Sequence, residues 1–163
     1  MGDEYYNQLA PGYQELHGEE QRRKAELILQ NLEVKPSDVL LDVGCGTANA
    51  LSFFPCKKVG IDPSLELLKQ AQIPTVQGVA ELLPFPVNSF DIVLSLTAIH
   101  NFKDAKQAIA EMQRVSRRDI VISVLKKASN FKEIEQTIIS MLDFRKRVGE
   151  VHDVIFFCCK SFK

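Results

Sequence analysis

Apolar residues recur along the chain in two alternating periods. From Glu19 to Leu32, the residues Ala25, Ile28, Leu29 and Leu32 stand at helical spacing and Pro36 closes the segment, which predicts an opening helix. Val39-Leu40-Leu41-Asp42-Val43 is apolar except for one acid, and a glycine turn and a short helix that must stop at Pro55 follow at once. The order repeats. Val59-Gly60-Ile61-Asp62 reads as a strand, and Ser64 is placed to cap a helix with Leu65, Leu68 and Ala71 on one face. Thr75 to Gln77 is a weaker third strand.

Phe90 to Leu96 and Asp119 to Leu125 are nearly continuous apolar runs, and Ala105, Ala108, Ile109 and Met112 form a helical stripe between them. Runs of this kind suit strands buried on both faces, as in a parallel sheet covered by helices. A last helix (Phe131, Ile134, Ile138, Leu142) leads to a strand near Phe144 to Val148 and then to Val154-Ile155-Phe156-Phe157-Cys158-Cys159. Too few residues around Gly149 separate these two for a crossover helix, so they pair antiparallel. Phe156 and Phe157 belong to the core on this reading, and Cys158 and Cys159 point to opposite faces. The alternation predicts one α/β domain over residues 1–163: a three-layer, doubly wound, Rossmann-like sheet, mostly parallel with an antiparallel last strand. Residues 1–36 form an N-terminal arm and helix, and 37–163 form the sheet.

Composition narrows the class without naming a partner. The 163 residues are 45% hydrophobic and 25% charged with a formal net charge of -1, ordinary values for a globular domain. That charge gives no global attraction for nucleic acid, although Arg114, Arg117 and Arg118 could form a local basic patch, so RNA is neither indicated nor excluded. No C-x-x-C pair occurs among the four cysteines, which argues against zinc or any other metal and for a reducing, cytoplasmic setting. Pro55-Cys56 reads as a helix terminator beside a buried thiol. No apolar run approaches the ~20 residues that cross a bilayer.

In an open α/β sheet ligands bind at the carboxyl ends of the strands near the point where strand order reverses, and the first strand here ends in Asp42-Val43-Gly44-Cys45-Gly46-Thr47. Gly44 and Gly46 allow a tight turn and close approach of a ligand to backbone. Asp42 is the unusual residue, because a carboxylate closing an apolar strand is costly to bury without a partner, and a ligand's cationic amino group would be one. Asp62, closing the second strand, is placed to accept both hydroxyls of a ribose; capping the helix that follows is its blander role. A nicotinamide fingerprint does not fit, since its third glycine would fall at Asn49 and it leaves Asp42 unexplained.

At these residues the chain resembles a family. Leu41-Asp42-Val43-Gly44-Cys45-Gly46-Thr47 looks like motif I of the class I methyltransferases that use S-adenosylmethionine, and Gly60-Ile61-Asp62 looks like their motif II. Gly78-Val79-Ala80-Glu81-Leu82-Leu83-Pro84-Phe85 resembles the adenine loop of the type 11, ubiquinone/menaquinone methyltransferase-like branch. Ser89-Phe90-Asp91-Ile92-Val93 resembles its motif IV strand. The resemblance implies S-adenosylmethionine as cofactor, held by Asp42, Gly44, Cys45, Gly46, Asp62, Pro63, Ala80 and Glu81, with Tyr13 folded over it. Asp91 is implied to be a structural or cofactor-proximal acid. Two departures stand out: Ala48 replaces the usual third glycine, and Val79 replaces an acid that would accept from the adenine amino group.

Methyl transfer from a sulfonium needs chiefly a nucleophile held in line with the methyl group. The fourth strand delivers Thr97-Ala98-Ile99-His100-Asn101-Phe102 to the top of the sheet, and His100 is the candidate base or substrate contact, its plainer role being a hydrogen bond within the loop. No Asn/Asp-Pro-Pro-Tyr follows that strand, which argues against exocyclic-amine methyltransferases, and Cys56 is misplaced for a cytosine C5 nucleophile. The acceptor itself is not legible. A small molecule is the leading expectation, and the alternatives are a catalytic subunit that pairs with a small activator to modify RNA or protein, and a catalytically silent cofactor-binding subunit.

Overall fold

The computed structural model describes the backbone of residues 11–162 and side chains from Leu16 onward. Helix α1 (Pro11–Asn31) leads to strand β1 (Val39–Val43), a 3-10 turn (Asn49–Phe53), β2 (Lys57–Asp62), the one-turn helix α2 (Leu65–Leu68) and β3 (Thr75–Gln77). Then come β4 (Phe90–Leu96), a second 3-10 turn (Ile99–Asn101), α3 (Ala105–Val115), β5 (Ser116–Leu125), α4 (Phe131–Met141), β6 (Asp143–Gly149) and β7 (Asp153–Cys159). The seven strands form one sheet in the order β3-β2-β1-β4-β5-β7-β6. β1 lies between β2 and β4 with Asp42 opposite Gly60 and Leu94, and the pairs from β3 through β5 are parallel. β7 is antiparallel to both β5 and β6, as the short final connection required.

Both faces of the sheet are covered, which is why the strand sequences carry little polar alternation. Leu41, Val43, Val93, Ile120, Ile122 and Phe156 meet Ile109 and Met112 of α3 and Ile134 and Ile138 of α4 on one side. Leu40, Ile92, Leu94, Val121, Ile155 and Phe157 meet Ala25 and Ile28 of α1 and the first 3-10 turn on the other. Neighbours in sequence therefore enter opposite cores, and Phe156 and Phe157 are both buried as expected. Phe156 is enclosed by the rings of Phe131 and Phe144, with centroids 6.4 and 6.3 Å away.

Four boundaries differ from the sequence reading. α1 begins at Pro11 rather than Glu19, because the sequence from Pro11 to Gly18 carries no apolar stripe to announce a helix; Arg22 pairs farther on with Glu19 and Glu26. The segment after the glycine loop is only a 3-10 turn, entered through Ala48 at φ 61° and left at the buried Phe54. α2 is a single turn, capped as anticipated by Ser64, whose Oγ accepts from the Leu67 amide at 3.3 Å; Leu68 is buried but Leu65 is exposed. β5 starts three residues early, at Ser116 opposite Phe90, with a bulge before Ile92.

Arg114, Arg117 and Arg118, which could have formed a local basic patch, are each engaged by neighbouring groups. Arg114 binds Glu111 and the carbonyls of Leu83 and Phe85, Arg117 binds Asp91 and the Asn88 carbonyl, and Arg118 binds Asp38 and Asp119. Asp91 also accepts from the Val39 amide, so it is a structural acid at the foot of the sheet. Among the described residues no helix is long and apolar enough to cross a membrane. Phe156→Ala removes a fully buried ring between α4 and the antiparallel edge, and should lower unfolding stability by about 3–5 kcal/mol in urea titrations.

Candidate functional site

The reversal of strand order at β1 places the ends of the parallel strands β1, β2 and β4 beside one another, so that residues far apart in sequence share one corner. Gly44 adopts φ 78° and Gly46 φ 55°, conformations that carry no Cβ penalty in glycine. A Cβ on Gly44 would stand 2.6 Å from the Ala98 Cβ, so the loop passes directly against the segment that follows β4. The Gly44 and Cys45 amides donate to the Ile61 carbonyl at 2.8 and 3.0 Å, which ties the turn to the end of β2. Cys45 is tucked against Gly60, and burial pushes its thiol well above the ordinary range, so it is no nucleophile.

Asp62 braces this loop. Its Oδ2 accepts from the Gly46 amide and its Oδ1 from the Ser64 amide, both at 2.9 Å, while its own carbonyl accepts from the Gly78 amide. The bracing role is thus filled: one carboxylate joins the glycine loop to the start of α2, and each oxygen keeps a second lone pair. Pro63 is exposed beside it, with its carbonyl accepting from Gln77.

Asp42 is 3% exposed and its Oδ1 has no hydrogen-bond partner. Burial, with the Asp62 charge adding to it, pushes its carboxyl up to about 7. An unsatisfied carboxyl oxygen in that position is a polar defect of the sheet, and a cation would relieve it.

The loop after β3 closes the corner. Ala80 is buried while Val79 is exposed, and the loop is fastened to α3 at several points. Glu81 accepts from the Asp104 amide and Gln107 donates to the Glu81 carbonyl. Glu111 accepts from the Leu83 amide at 2.8 Å, and Arg114 holds the Leu83 and Phe85 carbonyls at 3.0 and 2.8 Å. Glu111 did not emerge from the sequence reading and Arg114 did so only as part of a possible basic patch; their i,i+3 spacing on a helix was the available signal.

His100 lies in the 3-10 turn beyond β4, half-buried, with Nδ1 unpartnered. Burial lowers its proton affinity, Asp153 opposes that and Lys24 adds to it. The plain alternative of a side-chain bond within the loop is not made; Asn130 binds the His100 carbonyl instead. Tyr13 falls in the first turn of α1, and its side chain lies outside the described residues. Among the described residues no cluster of three His, Cys, Asp or Glu could hold a metal.

Sequence reasoning also missed a buried ionic group beside this corner. Lys24, 1% exposed, reaches Asp153 at 3.1 Å, Glu20 at 3.2 Å and the Thr97 hydroxyl at 2.6 Å. The signal was a lysine one turn before Ile28 on the apolar face of α1.

A carboxyl that binds its proton more tightly in the folded chain than in the unfolded one makes stability fall with pH between the two values. For Asp42 that window runs from about 4 to about 7, and a shift of this size corresponds to roughly 4 kcal/mol. Asp42→Asn should thus be more stable than the parent at pH 8 and nearly equal to it at pH 4.5 by urea unfolding of the ligand-free protein. A difference independent of pH would show that Asp42 is not strained.

The family model described as Methyltransferase domain matches residues 41–124, just over half of the chain. An uncharacterised protein from Methanocaldococcus jannaschii is 33% identical over 93% of this chain and 64% of its own length. A demethylmenaquinone methyltransferase from Renibacterium salmoninarum is 33% identical over 59% of this chain and 44% of its own. The chain thus spans about two fifths to two thirds of these relatives. Among solved structures, a chain from a complex of the Haloferax volcanii Trm112 methyltransferase activator with a putative methyltransferase superposes with a TM-score of 0.80. It is 15% identical and covers 98% of this chain and 99% of that one, a likeness of fold. The chain belongs to the methyltransferase domain family, in the class I, type 11 branch whose four motifs its sequence resembles.

Proposed function

We propose that this chain binds S-adenosylmethionine at the ends of β1 and β2 and transfers its methyl group to a small-molecule acceptor. The observation that carries the reading is the open oxygen of buried Asp42, whose need for a cation matches the amino group of that cofactor. The residues present fit the rest of the group. Gly44 lets the turn run against Ala98 where a Cβ would collide and Gly46 leaves bare backbone at its other end, Asp62 offers its remaining lone pairs to ribose hydroxyls, and the buried Ala80 loop offers backbone to adenine. Val79 is exposed, so the acid missing there removes one hydrogen bond, a loss of about 0.5–1.5 kcal/mol that leaves the binding frame intact. When bound, the cofactor supplies an electrophilic methyl on a sulfonium; the protein's part is to hold the acceptor in line and shield it from water.

Binding of a cation at Asp42 requires its ionised form. S-adenosylmethionine affinity should therefore weaken about tenfold per pH unit below 7, with proton release detectable by calorimetry in buffers of different ionisation enthalpy. An affinity flat from pH 5.5 to 8 would remove Asp42 from the site.

A second reading is favoured by the edge of the sheet. β3 is a three-residue strand paired only with β2, and Leu65, Val79 and Leu82 are exposed around it. A small activator of the kind present in the Haloferax volcanii complex would cover such an edge. Methylation with labelled donor in cell extract, fractionated into metabolites, RNA and protein, separates the readings. Label in metabolites supports the small-molecule reading, and label with RNA or protein only after a Trm112-type activator is added supports the heterodimer. Donor uptake with label in no fraction supports a silent cofactor-binding subunit.

A further inference from the structure

Three elements meet on one hydroxyl where β4 ends. Thr97 Oγ1 donates to Asp153 Oδ2 of β7 at 2.5 Å and accepts from the Lys24 ammonium of α1 at 2.6 Å. Lys24 directs its other donors to Asp153 at 3.1 Å and Glu20 at 3.2 Å, so the hydroxyl's one proton and the ammonium's three are all placed. From β5, the Ser123 hydroxyl and carbonyl accept from the Thr97 amide at 2.8 and 3.2 Å. Together these bonds hold Thr97 at φ 52°, a left-handed conformation that a β-branched residue keeps only where its surroundings over-determine it.

The segment that Thr97 launches lies against the glycine turn. The Asn101 amide donates to the Ala98 carbonyl at 2.9 Å and the Phe102 amide to the Ile99 carbonyl at 3.1 Å, which makes Ala98 to Phe102 one bonded turn. A Cβ on Gly44 would stand 2.6 Å from the Ala98 Cβ and 3.3 Å from the Phe102 Cζ. Only glycine permits that approach, so a displacement of Ala98 toward β1 pushes on backbone and not on a side chain that could rotate away. An unbroken line of contacts therefore runs from α1, through Thr97, to the backbone of the turn.

Resting on the methyl-transfer reading, we propose that Thr97 is a positioning residue for the donor site: its hydroxyl, clamped by Lys24 and Asp153, sets where Ala98 and Phe102 press on Gly44. The seating of α1 and the binding of S-adenosylmethionine are thereby coupled, and the coupling runs both ways. A buried ion pair suits this role. Lys24 is 1% exposed and Asp153 fully buried, so neither has water as an alternative partner, and the clamp has one geometry in which both charges are met.

The Gly44 α-proton that points where a Cβ would stand faces the Phe102 ring, and its chemical shift in the ligand-free protein reads their separation. Thr97→Val keeps the side chain's shape and removes the hydroxyl. The paired replacement Lys24→Met with Asp153→Leu removes the clamp without leaving a buried charge, and so provides a second, folded variant. Both should move the Gly44 resonance and weaken S-adenosylmethionine binding about tenfold by calorimetry, within the range of about 5- to 150-fold usual for coupled sites. Thr97→Ser, which keeps the hydroxyl, should recover most of that affinity. Phe156→Ala, whose ring packs between Phe131 and Phe144 away from this line of contacts, should move neither readout despite its lost stability. In hydrogen exchange, the donor should slow the α1 amides around Lys24 in the parent and in neither clamp variant. A Gly44 resonance or a donor affinity unmoved in both clamp variants, an equal loss of affinity in Phe156→Ala, or donor-bound parent without that protection would overturn the coupling. A parent that takes up no S-adenosylmethionine would instead overturn the donor reading, and the Gly44 resonance would still decide whether Thr97 positions the turn.

Discussion

The carboxylate that closes β1 governs how this molecule is put together. Asp42 is surrounded by apolar strands, its Oδ1 has no partner, and the neighbouring charge of Asp62 makes its ionisation harder still. A fold selected for stability alone would place an aliphatic residue there, since an apolar side chain would keep both cores continuous and cost nothing in desolvation. The surrounding structure instead holds the acid in place: two amides of the glycine turn bond the end of β2, and Asp62 bridges that turn to α2. On the proposed reading, ligand affinity and ligand-free stability are opposed at one residue.

The protein brings its loops to this point by different means. The glycine turn is fixed by backbone hydrogen bonds, because glycine leaves no side chain to do it. The loop after β3 is fixed by side chains, with Glu81, Glu111, Gln107 and Arg114 attaching it to α3 from both ends. The turn after β4 is fixed by charge, through Lys24, Asp153 and Thr97. Only the last of these ties α1 to the sheet by an ion pair, so the opening helix is docked by the same group that sets the geometry near His100. Breaking one member of a buried pair costs about 3–5 kcal/mol, so the turn after β4 is firmly anchored.

The two cores are unequal. α3 and α4 cover one face with complete amphipathic helices, whereas the other face relies on α1, a 3-10 turn and a single turn of α2. That thinner face also carries β3, a short strand at the edge with apolar residues around it. The antiparallel pair at the far edge is anchored by Phe156.

Much of this was determined by the sequence alone. Continuous apolar runs with helical stripes between them required a covered parallel sheet, the short connection around Gly149 required an antiparallel end, and Asp42, Gly44, Gly46 and Asp62 declared a site because each is costly or permissive in a way that strand ends reveal locally. The sheet order agrees with the predicted sheet, and the family match agrees with the motif resemblance. What only the tertiary structure decided depends on contacts between distant residues: the use of Arg114, Arg117 and Arg118 as internal clamps, the bracing of the glycine turn by Asp62, and the meeting of Lys24 with Asp153. No local pattern can encode those, because whether a charged side chain is solvated or buried in a pair is set by what the fold lays against it.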